Sequence, residues 1–260
     1  MISGFAGRGA GQAWVIAIVT SIAAGFFVQP AAAQGAGAAP AAVTPQADAR
    51  IDLTGNWVSV VTEDWRWRMI TPERGDYSGV PITADGRRAA DLWDPAADQA
   101  SGNQCKAFGV GGIMRRPGRL RLGWDNPTTL KIETDAGTQT RLLRFGATAP
   151  TSGDLTWQGY SVATWEGPAA TEKDGLRGGA LKVVTTRMRA GYLRTNGVPY
   201  SDNAGILEYF HRIKDGTDDW LVVTTIVTDP KNLLQPFMTS THFKKEADGS
   251  KWSPTPCRAG

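Results

Sequence analysis

Histidine and cysteine are nearly missing from this chain, with two of each in 260 residues. That count leaves no room for a zinc ribbon or a His-rich metal cluster. The familiar catalytic signatures are missing too. Beyond residue 33 there is no Gly-x-Ser-x-Gly elbow, no His-Glu-x-x-His and no glycine-rich phosphate loop. Serine-hydrolase, zincin, ATP and nicotinamide chemistry therefore have no foothold. Gly109 to Gly112 follows no dinucleotide-binding strand and reads as a turn or bulge. Charge of one sign is scarce: 28 Lys and Arg stand against 25 Asp and Glu, a formal net charge of +3. Spread along the chain, that balance argues against a nucleic-acid surface. No apolar run beyond residue 33 has the roughly 20 residues that a membrane-spanning helix needs.

What is present begins with a leader. Arg8 is the only charged side chain in the first 33 residues, and an apolar stretch follows from Trp14 to Val28. Ala31-Ala32-Ala33 then offers a small-residue cleavage site, so residues 1–33 read as a secretory signal and the protein as periplasmic or secreted. Residues 34–50 are Ala-, Gly- and Pro-rich and are expected to be a flexible linker, with a single folded domain over 51–260. Export makes a disulfide between Cys105 and Cys257 the economical reading of the cysteines.

The folded part reads as strands. Runs rich in Val, Ile, Thr, Leu and aromatics occupy 56–62, 119–124, 129–134, 138–145, 156–165, 180–189, 204–213, 219–228 and 236–244. Asp-Asn-Pro, Asp-Ala-Gly and Lys-Asp-Gly-Thr-Asp punctuate them as turns. One short helix is expected within 85–100, broken at Pro95. The architecture implied is all-β: an antiparallel up-and-down barrel with a long early insertion and few short helices. At the start of the first strand, Asp52-Leu53-Thr54-Gly55-Asn56-Trp57 is similar to the Gly-x-Trp signature of the lipocalin-like barrels. That resemblance implies a Trp57 plugging one end. The domain is longer than is usual there and has no Thr-Asp-Tyr motif. The chain also resembles a group of bacterial exported proteins through Glu63–Met69, Arg194–Ser201 and Thr239–Phe243.

Four groups of residues could carry chemistry, all without cofactor or metal. On a strand, Glu208, Phe210 and Arg212 share one face, and Tyr209 and His211 the other. A carboxylate in an apolar strand is expensive unless paired, so Glu208 is a general base, a partner of Arg212 or Arg187, or turned to solvent. His211 and His242 stand two strands apart in a meander and suit single acid–base or structural roles better than a shared metal. In Glu63-Asp64-Trp65-Arg66-Trp67-Arg68, an extended backbone would set Trp65 and Trp67 against Arg66 and Arg68. That arrangement is an aromatic wall with a cation clamp, or a packing ladder. Tyr192, Arg194 and Tyr200 lie in a long connection where a barrel mouth would be. Arg115 and Arg116 read as surface-loop residues.

Two functions follow as expectations. One is a cofactor-independent lyase, hydratase or isomerase on an apolar aromatic or terpenoid substrate. Glu208 and His211 would act as acid and base, Arg187 would steady negative charge, and Trp65, Arg66, Trp67, Arg68, Tyr192, Arg194, Tyr209 and His242 would bind. The other is a non-catalytic carrier of an apolar ligand.

Overall fold

The computed structural model describes residues 42–167 and 179–259. The expected signal and the first part of the linker lie outside the described residues.

Period-two burial builds nine barrel strands. They are β1 (Gly55–Val60), β2 (Arg119–Asn126), β3 (Thr129–Thr134), β4 (Gln139–Phe145), β5 (Tyr160–Glu166), β6 (Ala180–Thr186), β7 (Gly205–Asp215), β8 (Asp218–Thr228) and β9 (Phe237–Glu246). They close into one barrel in the order β1-β9-β8-β7-β6-β5-β4-β3-β2. The all-β barrel with an early insertion is therefore as expected, but its up-and-down course is corrected at one seam. There β4 and β5 run parallel, Leu143 beside Ser161 and Phe145 beside Ala163. The other eight pairs are antiparallel. Directions that alternate strictly cannot close a ring of nine, so one neighbouring pair must agree. Residues 146–159 return the chain to make that pair, as a parallel join requires.

The interior is filled. Trp57, Leu120, Ile132, Leu143, Phe210 and Phe243 pack with Phe108, Ile113 and Met114, which the insertion pushes in from one end. Each such burial contributes about 1.5–3 kcal/mol. A second cluster joins Tyr77, Val80, Ile82, Leu193, Val198 and Tyr200 to Ile206, Val227 and Phe237 at the strand ends. The insertion, residues 61–118, thus covers the end where β1 finishes. Toward the other end Trp57 is fully buried and its Nε1 donates to Leu53 O at 3.0 Å.

The insertion carries three short helices, α1 (Trp65–Arg68), α2 (Ala84–Asp91) and α3 (Pro95–Ala100). The stretch expected as one helix broken at Pro95 is two: α2 ends at Asp91, four residues earlier, and Pro95 begins α3. It stands at the first helical position behind the N-cap Asp94, which accepts from Ala97 N at 3.0 Å. The expected extended run at 63–68 is also corrected. Asp64 adopts a left-handed φ of 50°, and one helical turn follows, with Met69 N donating to Trp65 O. The two Trp side chains therefore part: Trp65 is 67% exposed, and Trp67 turns inward.

Two further ties hold the ends. Cys105 and Cys257 are bonded at 2.10 Å. Thr255–Pro256 runs parallel to Ala136–Gly137 at the β3–β4 turn, so the tail reaches the insertion end. In the segment expected to be a tether, Pro45 O accepts from Trp165 Nε1 at 2.8 Å, and Gln46 N donates to Pro127 O.

Candidate anion site at the barrel mouth

α1 brings Trp67 and Arg68 over the covered end. The short pair Gly191–Tyr192 with Pro199–Tyr200 supports the turn that carries Arg194, closed by Leu193 N donating to Val198 O at 2.7 Å. Asn196 pins this turn to the insertion through bonds from its Nδ2 to Glu73 O and Asp76 O. Arg115 arrives from the turn Ile113–Arg115, 5.9 Å from the Phe237 ring.

Three guanidiniums meet there. Arg68 Nε donates to Arg115 O at 3.0 Å, and Arg68 is ion-paired with Glu63. Glu63 in turn lies 2.9 Å from His242 Nδ1. Arg115 approaches Asp64 at 3.0 Å. Arg194 stacks 4.7 Å from the Trp67 ring, and Trp67 Nε1 donates to Asp76 Oδ2, which also pairs with Arg66. All three are almost wholly buried: Arg68 and Arg115 are 6% exposed and Arg194 is 5%. Even so, Arg68 Nη2, Arg115 Nη2, Arg194 Nε and Nη1, and Thr195 Oγ1 have no partner among the described residues. Burial, reinforced by neighbouring Arg115, pulls the Arg194 guanidinium down to about 10, and burial also lowers Arg68. Both shifts are what cations feel when solvent leaves and like charge stays. These groups line a recess with Ala107, Gly112, Leu193 and Arg116, of about 10 Å³. That is about the room of one water, so an anion's head group enters only where the surrounding side chains give way.

No family model, curated protein or solved structure matches the chain.

The other residues singled out from the sequence fall elsewhere. Glu208 points into the barrel, where Arg141 grips it with bonds of 3.1 and 2.5 Å, both side chains 0% exposed. Its partner is thus neither Arg212, which holds Asp219, nor Arg187. Tyr209 and His211 alternate with it onto the outer face, and His211 and His242 flank Val222 in adjoining registers. Tyr192 donates to Asp98 Oδ2 at 2.6 Å, beside Lys106. Trp65 and Arg66 face solvent, and Arg187 lies on the outside at the end of β6, bonded to Gly153 O. Among the described residues no three His, Cys, Asp or Glu side chains gather as a metal would require.

Two participants escaped the sequence reading. Arg141 carried a signal: it shares parity with Leu143 and Phe145 on the apolar face of β4. Arg115 and Arg116 were expected at the surface; Arg115 is instead buried, beside Phe237 and the Leu193–Thr195 turn, both far along the chain, and its neighbours in sequence carried no sign of this.

Proposed function

We propose that this protein is an exported, lipocalin-like barrel that binds a small organic anion, taking its carboxylate or phosphate-type head at Arg68, Arg115 and Arg194. The observation that carries this reading is the set of buried guanidinium nitrogens with no partner. Glu63 and Asp64 pair with Arg68 and Arg115, while Arg194 has only the more distant Asp64 and Asp76, and an unsatisfied buried donor costs about 1–3 kcal/mol, more when charged. An anion in the recess meets that demand with charge-assisted bonds. The export part of the reading rests on Arg8, the apolar run and the Ala31 to Ala33 site, and the Cys105–Cys257 bridge suits an oxidising compartment. The lipocalin-like part rests on Gly55-Asn56-Trp57 and the burial of Trp57.

Turnover as a cofactor-free lyase or isomerase has less support. Glu208 is held by Arg141 away from solvent, and His211 stands on the opposite face of the same strand.

Thermal denaturation with formate, acetate and phosphate at constant ionic strength tests the proposal. The expected result is a midpoint that rises with anion concentration, as linkage requires, and a rise lost in Arg194→Gln and Arg115→Gln. A midpoint indifferent to all three anions, or an equal rise in both variants, overturns it.

A further inference from the structure

The parallel seam leaves a cleft of about 420 Å³, within the range of small-molecule sites. It lies outside the barrel, between the outward side chains of β4 and the returning segment 146–159. Leu142, Pro150, Trp157 and Tyr160 supply apolar walls, and Arg144, Arg187, Asp154 and Gln158 supply polar groups. The two cations are already braced for a planar ligand. Arg144 lies 4.5 Å from the Tyr160 ring and Arg187 is tied to Gly153 O. Two atoms beneath this cleft, Arg187 Nε and Gln158 Oε1, are shut from solvent and lack partners among the described residues. Arg187 also has a φ of 60°, a left-handed conformation that strains any residue with a Cβ. Glycine would sit there at no steric cost, so the position holds an arginine against the preference of its own backbone. Strain of this kind collects at functional positions.

We infer that this cleft is a second binding site, independent of the mouth, for a small aromatic acid bearing a hydrogen-bond donor. Its carboxylate would be held by Arg187 and Arg144, its ring would lie against Trp157 and Leu142, and its hydroxyl would donate to Asp154. Two guanidiniums and one carboxylate among apolar walls specify that pattern: an anion for the former and an O–H or N–H for the latter.

The probe is 4-hydroxybenzoate, titrated calorimetrically into the full chain, with neutral 4-hydroxybenzamide as its comparison. The expected result is saturable binding of one equivalent, at least tenfold weaker for the amide. Arg187→Gly should weaken the acid at least tenfold while leaving the thermal midpoint unchanged or higher, because glycine relieves the strained φ. A merely structural arginine would not separate those two readouts. Arg144→Gln, on the outer face, serves as the second variant and should weaken the acid as well. Arg194→Gln should leave the affinity as it is, which separates the cleft from the mouth. No saturation, equal binding of acid and amide, unaltered affinity in both Arg187→Gly and Arg144→Gln, or loss confined to Arg194→Gln each overturns the proposal.

Discussion

Arg141 and Glu208 belong to strands three places apart in the wall, roughly 14 Å around it at the usual strand spacing. Their bidentate bond is therefore a strut across the lumen. Removing one partner leaves a buried charge alone. Arg141→Met is expected to destabilise the fold by about 3–5 kcal/mol, and the double variant Arg141→Met with Glu208→Leu to recover most of that loss. Urea denaturation of the parent, both single variants and the double measures the cycle, and additive losses in the double variant would contradict the strut. Arg194 presents the opposite case, a buried cation with no direct ion pair among the described residues and only the more distant Asp64 and Asp76 to balance it. Arg194→Met should raise stability by on the order of 1 kcal/mol in anion-free buffer, and anion-dependent stabilisation should vanish with it. A loss of stability in that variant would mean that the stacking on Trp67 outweighs the unpaired charge.

The hairpin of β7 and β8 shows how an element ties its own rim. Arg212 donates to Asp219 at 3.1 and 2.8 Å, and these bonds hold the Asp219 carboxyl below its ordinary value of 3.8. A depressed carboxyl stabilises fully above its unfolded value and loses that contribution as pH falls through the lower, folded one. Asp219→Asn should therefore cost about 1 kcal/mol at neutral pH, screened as it is at the rim. The gap between the two proteins should close below about pH 3, as denaturation midpoints across that range will record. Elements of this sort were legible in the sequence because period-two burial fixes a strand and its faces together. Glu208 and Tyr209 had to point oppositely whatever the fold. The parallel join of β4 to β5 was not legible, since alternation looks the same in either direction. At the mouth, Trp67, Arg68 and Arg194 were recognisable as the right residue types. The left-handed Asp64 that turns Trp67 inward, and the burial of Arg115, depend on packing from distant strands.

At the scale of the whole molecule, the Cys105–Cys257 bridge joins the insertion to the tail across 152 residues. A loop of that length is worth about 4–5 kcal/mol in the chain-entropy view. Reduction should lower the guanidinium denaturation free energy by about that amount, and a change under 1 kcal/mol would show that the tail is held by Thr255–Pro256 alone. The closed ring also sets a schedule. β1 is flanked by β2 and β9, so one of its edges is matched only when Phe237–Glu246 exists. At a synthesis rate of about 5–20 residues per second, the wait between Val60 and Phe237 is roughly 10–35 s. For that interval β1 offers a bare edge to any extended neighbour. A newborn chain therefore depends on being kept apart from its own copies until its last long strand has emerged.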